Sequence, residues 1–429
     1  MTKQRILIIS QPYPPDPAAT GKYMEDVALA LAAQGHKVEV FASRERLDKP
    51  SETYKSSIEG GVRIRRFRFS SFGKNSLPIR ILGAISFALQ SMIVGVTRRR
   101  IDCVFVSTAP PTGAAVACIL AGIYRARMTY WVHDVNPDQA VALELLPSNH
   151  LLVKTGRVIS RWVLGRADRI IVLDDAMLER IVANGAKPSS TRVLPPWPHD
   201  DLLSPIPRSR DTFRSKLNCQ ESFLVMYSGN LGISHSLDTL SKAAKLLRTH
   251  PEIKFAIIGQ GAGMELVRAQ ILEENLTNVT LLPYQPAEKL AESLSAADLH
   301  VVVTHDELVG ILHPCKAYSA LAVERPILSI GPLHSPISSL VNEHCLGWSV
   351  TTGDSQALQL AILEAAAESD EKRSSRTSTQ RHLKHPLLNK PALCGTLCQE
   401  IIGTQEGDNC IDSNLNLPPM SNKQGIIGK

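Results

Sequence analysis

Apolar residues recur along this chain in two alternating spacings. Arg5–Ser10 (RILIIS) is a short β-branched run, the mark of a strand buried on both faces. A proline-rich loop, 11–20, follows. Met24, Val27, Ala28 and Leu31 then share one side of a helix over Gly21–Gln34, and Gly35 supplies its stop. HKVEVFA returns to strand spacing. Strand, helix and strand make a βαβ unit, which predicts a parallel, doubly wound sheet. The same reading places strands at Val62–Phe69, Asp102–Ser107, Met128–His133 and Arg169–Leu173.

Val193–Pro205 (VLPPWPHDDLLSP) is too rich in proline to continue a helix or a central strand, and reads as a linker. The alternation then restarts. Strands are expected at Phe223–Ser228 and Lys254–Gly259, in VTLLPY, DLHVVV and PILSI, with a helix over Leu237–Arg248. The pattern therefore predicts an α/β protein of two Rossmann-like domains, 1–200 and 201–367, facing a central cleft. A polar segment over 368–429 should carry one helix near Pro391–Ile402 and a disordered tail from Gly403.

Composition narrows this picture. A chain of 429 residues with 44% apolar and 21% charged residues can bury full cores, which excludes wholesale disorder. No charge-free apolar run of about 18 residues marks a membrane span. The apolar run at the N-terminus ends at Ile9, too early for a secretory signal, and is expected to be a buried strand. The eight cysteines are scattered without a CxxC pair, which predicts reduced thiols and no zinc site.

The net charge of +6 is local. Between Gly61 and Ile101 stand Arg63, Arg65, Arg66, Arg68, Lys74, Arg80, Arg98, Arg99 and Arg100 with no acid, and without these nine the remaining chain has 38 basic and 41 acidic residues. Leu77–Val96 within that stretch is apolar apart from Arg80 and a few small polar residues. It reads either as an amphipathic helix on an anionic membrane surface, met by Arg80, Arg98, Arg99 and Arg100, or as a core helix with arginines at its ends. Nucleic-acid binding is disfavoured: aromatic residues are only 5% and no RNA-reading motif is present.

Five places carry candidate chemistry. Gly21 sits where the first loop meets the first helix, so it either admits an anion to a helix start or simply begins the helix. Ser228-Gly229-Asn230-Leu231-Gly232 ends a strand, and its glycines can free backbone N–H groups toward a phosphate, with His235 a further donor; a tight turn without a ligand is the alternative. Gly259-Gln260-Gly261-Ala262-Gly263 repeats that arrangement. His133 ends the strand TYWVH, where ligands of α/β sheets gather, and could orient a hydroxyl or serve structurally. Glu307 and Lys316 flank the start of a helix opened by His313-Pro314, placed to reach a sugar and a diphosphate.

Over about residues 5–365, the order of these pieces resembles family 4 of the GT-B glycosyltransferases, colanic-acid and exopolysaccharide type. The opening strand and proline loop, QGHKVEVF, the VHD turn, LPPWPHDD, YSGNLG, KFAIIGQGAG, LLPYQPAEKLAESLSAADLHVVV and ERPILSIG carry the likeness. The resemblance implies a retaining transfer from a nucleotide sugar to a lipid-linked or oligosaccharide acceptor, without a metal or other cofactor. It implies that the N-terminal domain binds the acceptor and the C-terminal domain the donor. By position, Gly229, Asn230, Gly232 and Gly261 would lie at the donor, and Lys316 would face its diphosphate. Glu307 would contact the donor sugar, and His133 would lie near the transferred sugar. Many members have Arg where Asn230 stands, Lys where His235 stands, and a second acid where Ser319 stands. These departures leave as alternative a nucleotide-sugar-binding relative with weak or no catalysis. The implied location is cytoplasmic, peripheral on the inner face of the membrane.

Overall fold

The computed structural model describes residues 2–47, 49–73, 76–198, 203–208, 211–231, 237–261 and 263–403. The first sheet uses β1 (Arg5–Ile9), β2 (Lys37–Ser43), β3 (Ser57–Glu59), β4 (Val62–Phe67), β5 (Cys103–Ser107), β6 (Arg127–Trp131), β7 (Arg169–Val172) and β8 (Thr191–Val193). Their order is β3-β4-β2-β1-β5-β6-β7-β8, parallel throughout except for β3 on β4. The connections are α1 (Ala19–Ala33), α2 (Leu77–Val96), α3 (Pro111–Tyr124), α4 (Asp138–Ala142), α5 (Leu151–Arg166) and α6 (Asp175–Ala183).

The second sheet has the order β11-β10-β9-β12-β13-β14. Its strands are β9 (Phe223–Ser228), β10 (Ile253–Ile258), β11 (Val279–Leu282), β12 (Leu299–Val303), β13 (Ile327–Ile330) and β14 (Gly347–Val350). Its helices are α7 (Thr212–Lys216), α8 (Asp238–Leu246), α9 (Gly263–Glu273), α10 (Leu290–Ser295), α11 (Lys316–Ala322), α12 (Pro336–Glu343) and α13 (Ser355–Ala366). The central strands β1, β5 and β12 are buried along almost their whole length, because helices cover both sheet faces.

The proline-rich linker starts as part of the first domain. Trp197 is fully buried there; its indole Nε1 donates to Asp26 at 3.0 Å, and its carbonyl accepts the Tyr23 hydroxyl at 2.9 Å. Tyr23, Trp131 and Trp197 form one aromatic cluster, with ring centres 5.3–5.5 Å apart.

Two features differ from the sequence expectation. The short edge strands β3, β8 and β14 stand at positions where no strand is expected, because runs of three or four residues are too brief for alternation to register. The C-terminal segment forms two helices, α14 (Asp370–Leu388) and α15 (Lys390–Ile402), where one is expected. Helix α14 is polar, started by a Ser369 cap, and gains its order from tertiary contacts: Arg376 lies over the Trp348 ring, and Gln380 donates to the Arg325 carbonyl at 2.8 Å. Helix α15 returns to the first domain, where Lys390 pairs with Asp26 at 3.0 Å and Glu400 with Arg169 at 2.8 Å. The expected tail, residues 404–429, lies outside the described residues.

Candidate active site

An open parallel sheet binds ligands where its strand order reverses. In the second sheet that point lies between β9 and β12. The turn after β9 carries Gly229 and Asn230, and the segment after β12 carries Glu307 and leads to Lys316 at the start of α11. The topology therefore brings together two loops that are some eighty residues apart in sequence.

Lys316 is the centre of this group. Its Nζ lies 4.0 Å from the centre of the Tyr227 ring, donates to the Tyr227 hydroxyl, and donates to the Asn230 carbonyl at 3.3 Å. The Tyr227 hydroxyl donates to the same carbonyl at 2.9 Å. Gly229 has φ +148°, and a Cβ there would stand 2.2 Å from Lys316 Cε. This glycine makes room for the lysine stem. Burial lowers the Lys316 pKa from 10.5 to about 7, with only the Cys315 thiol pulling the other way. A cation kept this short of counter-charge is well suited to an incoming anion.

The second glycine turn packs on the first. A Cβ on Gly259 would stand 2.0 Å from the Gly229 carbonyl oxygen, and one on Gly261 (φ +136°) 2.3 Å from the Leu231 carbonyl oxygen. Leu231 N–H donates to the Gln260 carbonyl, and Gly263 N–H to the Leu231 carbonyl, each at 2.8 Å. The close approach that these glycines permit is thus that of the neighbouring turn. Gly232 and His235 lie outside the described residues. Ser319 sits one helical turn after Lys316 and is half-buried.

In the first domain, His133 is buried beyond the end of β6. It stacks on Tyr23 with ring centres 5.5 Å apart and lies 4.4 Å from the Trp131 ring. Its neighbour Asp134 is pushed up to about 6 by burial. Gly21 is in α1, and a Cβ there would meet the Pro12 carbonyl carbon at 3.0 Å; the chain's own proline loop fills the space expected for an anion.

The segment after β12 also joins the domains. Val135 N–H donates to the Ile311 carbonyl at 3.0 Å, and Asp134 and Leu312 form a backbone bridge. Asp174 caps α6 with one carboxylate oxygen, which accepts from Met177 N–H at 2.7 Å. Its other oxygen lies 2.6 Å from His313 Nδ1, and His313 Nε2 lies 2.9 Å from the Tyr318 hydroxyl. Sequence spacing does not reveal this relay, because its members belong to different domains. Glu307 is exposed on the turn before this junction and lines a cavity of about 520 Å³ shared with α4, α5 and α6.

The basic segment is less basic in three dimensions. Arg98 makes a two-pronged contact with Glu39 at 2.8 and 2.7 Å, and Arg100 pairs with Asp102 at 2.6 Å. Both acids lie outside the 61–101 stretch, so counting charge along the chain misses them. Of the four arginines expected to meet a membrane, Arg98 and Arg100 are therefore engaged within the domain. Helix α2 is long and apolar enough to cross a bilayer by length and composition, yet Gly83, Phe87, Ser91 and Gly95 fix one face to the domain. Leu89 (59% exposed) and Ile93 (64%) are on its outer face.

Residues 19–197 match the family model described as Glycosyl transferase 4-like domain, and residues 209–382 that described as Glycosyl transferases group 1. "Probable glycosyltransferase WbjE" of Pseudomonas aeruginosa is 24% identical over 361 residues, which cover 84% of this chain and 89% of the relative. "Putative colanic acid biosynthesis glycosyl transferase WcaI" of Escherichia coli (strain K12) is 25% identical over 331 residues, 74% of this chain and 81% of the relative. The crystal structure of Anabaena Alr3699/HepE in complex with UDP-glucose superposes with a TM-score of 0.69 at 15% identity, covering 94% of this chain and all of that one. WaaG, described as a glycosyltransferase involved in lipopolysaccharide biosynthesis, superposes with a TM-score of 0.67 at 15% identity, over 93% of this chain and 100% of its own. The chain therefore belongs to the family 4 type of GT-B glycosyltransferases, in which a glycosyl transferase 4-like domain precedes a group 1 domain.

Proposed function

We propose that this enzyme is a retaining glycosyltransferase that moves a sugar from a nucleotide-sugar donor to a lipid-linked or oligosaccharide acceptor in exopolysaccharide synthesis. The observation that carries the reading is Lys316, a desolvated cation held over Gly229 at the reversal point of the second sheet. As the glycosidic bond breaks, negative charge grows on the departing nucleoside diphosphate. The Lys316 ammonium and the turn at Gly229 and Asn230 stabilise that charge, so transition-state binding exceeds ground-state binding. Glu307 orients the donor sugar from its exposed turn, and His133 lies near the transferred sugar. The lysine takes the part that a divalent cation would otherwise play, so no metal is required.

The relatives named above support the polysaccharide assignment, and the HepE complex supports a nucleotide sugar as donor. The outer face of α2, with Arg80 and Arg99 beside it, fits a peripheral position on the anionic cytoplasmic surface of the membrane. Because its other face is packed into the domain, α2 lies on that surface instead of crossing it. The test is transfer from a panel of labelled UDP- and GDP-sugars to a bacterial lipid extract. Glu307→Ala and Lys316→Ala should each lower turnover about a hundredfold or more, the effect of losing one transition-state contact, while Glu307→Ala keeps the wild-type melting transition and Lys316→Ala melts no lower than wild type. Unchanged turnover in both removes the site assignment.

A further inference from the structure

The segment between β12 and α11 carries Glu307 near its start and leads directly into Lys316. Its middle packs on the other domain. Leu308 and Ile311 are buried in the hydrophobic core of the first domain, with Leu312 packed beside them. The backbone follows these side chains. A Cβ at Gly310 (φ +70°) would stand 2.6 Å from the Ala176 carbonyl oxygen, so the glycine lets the segment lie directly on the first turn of α6. With the backbone contacts of Val135 to Ile311 and Asp134 to Leu312, these form a clasp: a loop of the second domain is packed as part of the first.

His313 ends the clasp. Its side chain is buried, and so is the Asp174 carboxylate that it meets at 2.6 Å. Asp174 is itself held in place, because its other oxygen caps α6. On the far side of the ring, Nε2 lies 2.9 Å from the Tyr318 hydroxyl, in the first turn of α11. An imidazole that donates from Nδ1 to a carboxylate presents Nε2 as an acceptor, which suits a hydroxyl donor. Pro314 follows at once, and its fixed φ leaves little slack between His313 and Lys316. The Ala317 N–H donates to the Pro314 carbonyl at 3.4 Å and ties the same turn. A first-domain carboxylate is thus linked, through one ring, to the turn that begins with Lys316.

We propose that Asp174 and His313 are positioning residues for the donor: through them the first domain holds the start of α11, and with it Lys316, against the turn at Gly229 and Asn230. The proposal rests on the transferase reading for the identity of the ligand, and adds that nucleotide binding by the second domain depends on a carboxylate of the first. Asp174 and His313 act through Lys316 and not on the diphosphate itself. With the latch broken, the start of α11 is tethered to the first domain only by the apolar clasp, and Lys316 loses its fixed place over the Gly229 turn.

Titration calorimetry of UDP on the full chain tests this with Asp174→Ser, His313→Ala and the double variant. Serine keeps the α6 cap but is too short to reach His313, so a capping role alone predicts wild-type affinity for Asp174→Ser. Each single variant should weaken UDP about tenfold, and the double variant should weaken it no further, because both changes remove one shared contact. Asp174→Asn, which keeps the cap and a hydrogen bond to the ring, should recover affinity to within about threefold of wild type. Hydrogen exchange of peptides spanning 305–320, measured without nucleotide, should be faster in Asp174→Ser and His313→Ala than in wild type. Wild-type UDP affinity in both single variants overturns the proposal, as do additive losses in the double variant. Unchanged exchange overturns it without reference to any nucleotide. Failure of the wild type to bind UDP or GDP, with exchange still faster in the variants, sinks the transferase reading and leaves the latch standing.

Discussion

Lys316 should make nucleotide binding depend on proton uptake. In the free protein its pKa is about 7, because burial penalises the charged form. A diphosphate beside Nζ favours that form and raises the pKa. Binding therefore takes up a proton above pH 7. At pH 8 the free lysine is about 90% neutral, so uptake should be about 0.9 proton for each nucleotide bound. Affinity should be full below about pH 6, about half of that at pH 7, and fall about tenfold for each unit above it, reaching about a hundredfold, or about 2.7 kcal/mol, by pH 9. Titration calorimetry of UDP at pH 8 in two buffers of different ionisation enthalpy counts the protons. Lys316→Met should bind more weakly at pH 7 and show neither uptake nor slope. The same burial acts on the free protein with the opposite sign. A lysine that is neutral near pH 7 folded but titrates near 10.5 unfolded costs stability at neutral pH, and the cost fades as the pH rises from about 7 to 10.5. Lys316→Met should therefore be more stable than wild type at pH 7 without ligand. No proton uptake at pH 8, or equal uptake in Lys316→Met, refutes the placement of the diphosphate at this lysine.

Three further outcomes follow from the same structure. Asp134→Asn should raise stability by about 1–3 kcal/mol at pH 7, because the folded carboxyl titrates near 6 instead of 3.8; the gain should vanish by pH 4 and be complete above about pH 6.5, and a gain that persists at pH 4 in urea melts would contradict it. Trp197→Ala should cost about 3–5 kcal/mol, since it empties a fully buried site and removes a donor from Asp26; a loss below about 1 kcal/mol in denaturant unfolding would show the linker is not anchored there. Leu89→Glu with Ile93→Glu should abolish flotation with anionic liposomes at low salt while leaving the fold intact by circular dichroism, and undiminished flotation would exclude α2 as the contact.

Much of the fold is legible in one dimension because strands buried on both faces must be continuous apolar runs. RILII, CVFVS and LHVVV are readable for that reason, and their alternation with amphipathic helices specifies two doubly wound sheets. Edge strands escape this logic: β3 and β14 are short and half-exposed. Helix α14 escapes it too, since its polar sequence carries little helical periodicity. The candidate site was partly legible. Glu307 and Lys316 stand at a strand end and a proline-opened helix, which are local signals. What each glycine does was not legible: a GxGxG run reads the same whether its missing side chains admit a phosphate or a neighbouring turn, and at Gly259 and Gly261 they admit the turn.

The sequence by itself thus determined the fold class, the two-domain order and the family, because each rests on periodicity or on motifs contiguous in the chain. The tertiary structure alone decided which charges remain available and which residues share a cavity. Arg98 and Arg100 read as free cations until Glu39 and Asp102 are found beside them. Arg157, Arg180 and Glu307 come to line one cavity only where the two domains meet. The physical reason is that electrostatic and hydrogen-bonding partners act over a few ångströms in space, whereas partners such as Asp26 and Lys390 are separated by 364 residues of chain.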